Sequence, residues 1–174
     1  METIVKTKWS VDKAHSEIGF KVKHMMISSV RGQFNDFDVT VASDHENFKN
    51  AEIKFSAEVD SIDTNNQDRD KHLKSDDFFN AAEYPELKFE SRSFDGEKLV
   101  GDLTIRDVTQ EVVLDVDVNG IVVDPYGQTK AGFEIKGHLN RKDFGLSWSA
   151  VTEAGSIVVG DRVDLLVTVQ LIQN

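Results

Sequence analysis

Cysteine is absent from all 174 residues, which excludes disulfides, thiolate nucleophiles and cysteine-bound metals. Tyrosine and tryptophan number two each against eleven phenylalanines, so most of the aromatic bulk has no polar handle. No stretch approaches the ~20 consecutive apolar residues of a membrane helix. Residues 1–9 also lack the apolar core of a secretory signal. The chain as it stands therefore reads as cytoplasmic and without stable membrane insertion, or as periplasmic if a leader has been removed. Basic residues are in the minority: 20 Lys and Arg stand against 31 Asp and Glu, a net charge of −11. A nucleic-acid partner needs a basic footprint, and so does docking on anionic lipid, so both are argued against. The acidity is read as serving solubility.

What the chain has in abundance is alternation. Ala51, Ile53, Phe55, Ala57 and Val59 are separated by Glu52, Lys54, Ser56 and Glu58. The same period of two returns at Leu99–Ile105, Val112–Val118, Ala131–Leu139 and Val163–Leu171. Side chains of a strand alternate between faces, so each segment is a strand with one apolar and one wet side. Many such strands in one small domain predict an all-β fold, a single antiparallel barrel of about eight strands closed round its apolar face. Further strands are expected at 16–23, 30–42, 87–93 and 156–173. In the 30–42 segment Phe34 is out of phase with Phe37, Val39 and Val41, which predicts a bulge near Asn35 and Asp36. Asp95-Gly96 and Asp124-Pro125-Tyr126-Gly127 read as turns. Residues 64–82 do not alternate and predict a short helical excursion, capped by Thr64 or Asn65, that ends at Tyr84-Pro85. No repeat, linker or low-complexity stretch divides the chain, which is read as one domain over 1–174.

An eight-stranded barrel is just wide enough to be filled by its own side chains or to hold one slender ligand. Gly101, Gly137 and Ala131 fall at inward parity and would leave room inside. His15 and Ser16 follow Asp12, but neighbours on a strand face opposite sides, so His15 is poorly placed to activate Ser16. No pair of histidines has the close spacing of a zinc site, and no metal is expected. Arg141 shares inward parity with Phe133, Ile135 and Leu139. An arginine at an apolar mouth must be paired, either with Asp12, Asp70 or Asp143 or with the head group of a ligand.

The opening Trp9-Ser10-Val11-Asp12, Ala14-His15-Ser16, Phe20-Lys21-Val22-Lys23-His24 and Gly32-Gln33-Phe34 resembles that of the YceI-like polyisoprenoid-binding family. Ser61-Ile62-Asp63-Thr64-Asn65, Arg69-Asp70-Lys71-His72-Leu73, Phe78-Phe79, Tyr84-Pro85 and Phe89-Glu90-Ser91 continue the match in order. Gly101-Asp102-Leu103-Thr104-Ile105 and Asn140-Arg141-Lys142-Asp143-Phe144-Gly145-Leu146 complete it. Asp107 departs from it, standing where the family usually has glycine. The resemblance implies a lipocalin-like barrel holding a long isoprenoid chain, such as a polyprenyl phosphate or quinone tail, with neither cofactor nor catalysis.

The resulting expectation is a tunnel lined by Phe20, Val22, Phe34, Ile53 and Phe55 from the first half of the chain. Phe89, Leu103, Ile105, Phe133 and Ile135 would line it from the second. Phe78, Phe79, Phe144 and Trp148 would close over its mouth, with Ser16, His24, Arg69, His72 and Arg141 as candidates for the head group. Burying hydrocarbon is worth about 0.8 kcal/mol per methylene, so three or four isoprene units suffice for tight binding. A straight-chain lipid would satisfy the same wall. Rival readings are an enzyme using His24 or His72, and an interaction protein whose barrel is filled. Leu166 and Ile172, at outward parity on the last strand, would suit a homodimer interface.

Overall fold

The fold is that of a computed structural model, which describes residues 6–25, 27–44, 47–148 and 159–174. Its strands are β1 (Thr7–Val11), β2 (Glu17–His24), β3 (Ser28–Phe34), β4 (Phe37–Asp44), β5 (Asn47–Glu58) and β6 (Ile62–Asp63), followed by helix α1 (Gln67–Lys74). After the helix come β7 (Glu86–Phe94), β8 (Lys98–Ile105), β9 (Val108–Val123), β10 (Thr129–Asn140) and β11 (Val159–Gln173). All pair antiparallel in one sheet, in the order β1-β4-β5-β7-β8-β9-β10-β11-β2-β3-β6, with β1 also paired to β11.

That order is simpler than it looks. The first six strands are three long ones, each broken once: β1 runs into β2, β3 into β4, β5 into β6. Counted so, eight strands run up and down in chain order, and β11 closes the barrel by pairing with β1 and β2 on the side away from β10. The three breaks sit side by side. Asp12 and the 3-10 turn Lys13–His15 interrupt the first strand, Asn35 and Asp36 the second, and the 3-10 turn Val59–Ser61 the third. The Asn35 amide donates to the Ser61 carbonyl and the Glu58 amide to the Asp36 carbonyl, so the second and third bends are tied to each other. The phase slip at Asn35 and Asp36 is thus a full break shared by three strands, which turns the sheet sharply enough to close.

The helix begins later than the sequence suggests. Asn66, not Thr64 or Asn65, caps it by accepting the Arg69 amide at 3.0 Å, because Thr64 and Asn65 are engaged by Asp70 and Asp63. Helix and following turns lie over the end of the barrel where β6 stops and β7 starts, between strands that do not pair with each other. The predicted turns form. Asp95 Oδ1 accepts the amides of Glu97 and Lys98, and Asp124 Oδ1 those of Tyr126 and Gln128, with Gly96 and Gly127 in the left-handed region. In the β8–β9 turn Arg106 takes positive φ and Asp107 does not, so the departure from the family's glycine costs no strain. Residues 156–158 of the expected last strand lie outside the described residues.

β11 is not an edge strand. Leu166 stands opposite Gly19 and Lys136, Ile172 opposite Ser10 and Lys130, and both are half-buried, which removes the reason for placing a homodimer interface there.

Candidate functional site

The inward faces fill the barrel only at the end away from the helix. Trp9, Phe48, Phe94, Ala131, Phe133 and Leu171 are buried there. Toward the helix a cavity of about 540 Å³ remains. Phe20 and Val22 of β2, Ile53 and Phe55 of β5, Leu103 and Ile105 of β8, and Ile135 of β10 form its wall, with Phe34, Phe89, Phe78, Phe79 and Trp148. β11 adds Val163, Leu165, Val167 and Val169. Their alternation is visible in the sequence, but the expected tunnel does not include them.

One expected wall residue, Phe133, and one expected mouth residue, Phe144, lie elsewhere. Phe133 faces inward but one layer below the cavity, edge-on to Phe48 at 4.8 Å. Phe144 is 2% exposed in the 3-10 turn Arg141–Phe144 and packs into the core rather than across the mouth. Parity tells which face a residue takes, not how far along the axis the hollow extends.

The hollow owes its existence to three glycines, though not as the sequence suggested. A Cβ on Gly32 would stand 2.4 Å from Cζ of Phe20, and one on Gly101 2.4 Å from Cζ of Phe89. One on Gly137 would stand 2.6 Å from Cδ2 of Leu114. The glycines do not leave empty space; their neighbours' side chains lie flat across them, along the wall, and so keep off the axis. Ala131 is buried outside the cavity.

Polar groups gather at the helix end, where the exposed Lys23 and Asp68 belong to the rim together with His24, Thr64, Arg69, His72 and Arg141. Arg69 Nε donates to Thr64 Oγ1 at 2.8 Å and Nη2 to the Thr64 carbonyl, while Asp70 holds Thr64 from the other side. Nη1 of Arg69 has no hydrogen bond, and Arg69 no salt bridge, among the described residues. His72 Nε2 meets Asp77 Oδ2 at 2.9 Å, and its ring stands edge-on to Phe78 (5.1 Å) and Trp148 (4.8 Å). Phe78 and Trp148 are 5.4 Å apart, so three rings clasp the two irregular segments across the mouth.

Arg141 is a fastening rather than a free cation. It is 3% exposed, and it donates to the carbonyls of Gly160 (2.9 Å), Leu146, Trp148 (2.7 Å) and Val159 (3.5 Å), with Asp161 at 3.6 Å. Its partners are therefore backbone oxygens and Asp161, not Asp12, Asp70 or Asp143. Burial draws the guanidinium below its ordinary pKa and Asp161 partly restores it. Arg106, which the sequence reading passed over, does the same for the other segment: Nη1 donates to the carbonyls of Asp76 (3.3 Å) and Phe78 (3.2 Å).

Ser16 lies at the closing seam and not at the mouth. Its hydroxyl donates to the Asp12 carbonyl at 2.7 Å and accepts the Gln170 amide at 2.9 Å, while His15 bonds Asp12 separately. Ser16, His15 and Asp12 thus form no relay. No group of three or more His, Asp or Glu among the described residues is placed to hold a metal.

A YceI-like domain model matches residues 9–171. A UPF0312 protein of Staphylococcus aureus is 38% identical over 158 residues, 90% of this chain and 92% of that one. One of Staphylococcus epidermidis is 37% identical over the same shares. Among solved structures the YCEI protein of Campylobacter jejuni is similar at TM-score 0.74 and 32% identity, covering 100% of this chain and 99% of that one. BcnA of Burkholderia cenocepacia has TM-score 0.78 at 21% identity over 92% and 98%. A polyisoprenoid binding domain from Saccharophagus degradans has TM-score 0.71 at 13% identity over 95% and 98%, and these two share the fold. The family match over residues 9–171, the 38% identity to the Staphylococcus aureus protein and the likeness to the Campylobacter jejuni structure agree: the chain belongs to the YceI-like family.

Proposed function

We propose that this protein binds a single long isoprenoid chain without chemical conversion, taking the tail into the barrel and leaving the head group at the helix end. The observation that carries the reading is the unfilled apolar hollow with polar groups only at its rim. Its volume of about 540 Å³ falls within the range of ligand pockets. Burial of hydrocarbon supplies the affinity, and the rim orients the head. The Saccharophagus degradans domain of the same fold, described as polyisoprenoid binding, supports this choice of ligand class over others. Arg69, whose Nη1 has no hydrogen bond among the described residues, Lys23 and His24 suit a phosphate or carbonyl head. Polyprenyl phosphates and isoprenoid quinones both meet that description, and storage or transport are the roles such binding serves.

The test is native mass spectrometry of freshly purified protein, with extraction and identification of what is released. A stoichiometric ligand with isoprene-spaced fragments is the expected result. A straight-chain acid in its place would favour a fatty-acid binder, which the same wall accommodates. Leu103→Arg, which puts a charge into the wall, is expected to abolish uptake in a protein that still shows the β-sheet circular dichroism of the parent. Undiminished loading would remove Leu103 from the binding surface.

A further inference from the structure

The cavity has a floor. Its lowest wall residues are Ile53, Leu99, Leu114 and Val169. The next inward layer holds Trp9, Phe48 and Phe133, all buried and none of them in the wall. Phe133 stands opposite Val169 on the neighbouring strand and meets Phe48 edge-on at 4.8 Å. Phe48 in turn meets Trp9 at 5.1 Å, and the Trp9 indole N–H donates to Ser43 Oγ at 3.1 Å. The rings brace one another and one end of the chain of contacts is anchored by a hydrogen bond. A ring so placed moves aside only by disturbing its neighbours, since close-packed interiors have no spare volume to give.

We propose that this three-ring plug is a chain-length stop, with Phe133 as the residue on which the end of the bound tail rests. The inference builds on the binding function above and adds a specificity determinant to it. Each isoprene unit that enters the hollow is withdrawn from water and raises affinity by about tenfold or more. Once the tail meets the plug, a further unit must remain outside the mouth, in water, and contributes nothing. Affinity against chain length then rises steeply and breaks. A barrel open at both ends would show no break, because a longer tail would pass through.

The experiment measures dissociation constants for prenyl alcohols lengthened one unit at a time from geraniol, with a parallel series of straight-chain alcohols. It uses the full chain and two variants. Phe133→Ala deepens the floor, and Val169→Phe raises it by growing into empty space, so overpacking does not threaten its fold. The break is expected to move to longer chains by about one unit in Phe133→Ala, since the cavity gained is that of one ring. It is expected to move to shorter chains in Val169→Phe. If Phe133→Ala does not fold, Val169→Phe decides alone. A steady rise with no break in the parent protein, or a break that Val169→Phe leaves in place, overturns the stop while leaving prenyl binding intact. Failure of every prenyl alcohol to bind the parent overturns the function and the stop together, and straight-chain binding then names the replacement.

Discussion

The ring of Phe20 lies across Gly32, its partner on the adjacent strand, so closely that a Cβ there would stand 2.4 Å from Cζ. Thr64 Cγ2, at 2.8 Å from the same position, closes the other side. The hollow depends on this arrangement, because a phenylalanine held against the wall leaves the axis clear. Gly32→Val is therefore expected to swing the Phe20 ring inward, lowering stability by about 1–3 kcal/mol and cutting prenyl uptake. Denaturant unfolding and native mass spectrometry read the two effects. Unaltered uptake in the folded variant would show that the axis near Phe20 is not where the ligand lies.

Arg141 supplies the second expectation. Its guanidinium gathers four backbone carbonyls that no other described side chain reaches, and Trp148, one of the rings over the mouth, is among them. Lysine has a point charge and no planar fork, so Arg141→Lys leaves buried carbonyls without donors. A loss of about 2–4 kcal/mol is expected, with a red shift of Trp148 emission read in a Trp9→Phe background. If stability falls and the emission stays, the guanidinium supports the core and not the mouth.

How much of this was legible beforehand follows from what periodicity encodes. The alternation from Ala51 to Val59 and from Val163 to Leu171 determined which side chains face inward, and the barrel follows from that. Depth was invisible: Phe133 and Ile135 are equally inward in the sequence, yet one is floor and the other wall. Arg141 was found by parity, but its partners are carbonyls of residues 146–160, and a carbonyl leaves no mark in a sequence. Arg106 had no signal at all, since only the fold brings the β8–β9 turn beneath Asp76 and Phe78. Ser16 misled because it adjoins the end of β2 opposite to His24, and parity does not tell which end of a strand meets the mouth.

The Arg69 Nη1 edge, without a hydrogen bond among the described residues, distinguishes a head group from a tail. Arg69→Met removes the charge, but the Thr64 position remains held by Asp70 through its amide at 2.9 Å. Affinity for a prenyl phosphate is expected to fall about tenfold or more, and affinity for the matching prenyl alcohol much less, since a charge-assisted hydrogen bond is worth more than a neutral one. Isothermal titration with the two ligands measures the difference. Equal losses would mean that Arg69 shapes the mouth without touching the head.

Two turn aspartates contribute to the acid sensitivity of the fold. The amides of Lys98 and Glu97 hold the Asp95 carboxyl below the usual aspartate range, with the Lys98 contribution the larger. The Gln128 amide does the same for Asp124 against the opposing effect of burial, helped by Lys130 at 3.2 Å. In the unfolded chain both groups titrate near the ordinary value of about 3.9. Above that pH both states are ionised and the full stabilisation is present. As pH falls, the unfolded chain takes up protons first, so stability declines until the folded carboxyls protonate too. Melting temperature is thus expected to be level on this account above pH about 5 and to drop below pH about 4. Asparagine keeps an acceptor oxygen for both turns but cannot ionise. The Asp95→Asn, Asp124→Asn double variant should therefore be less stable than the parent at pH 7 and lose less on acidification. A variant whose acid slope equals the parent's would assign the acid sensitivity to carboxylates outside the turns.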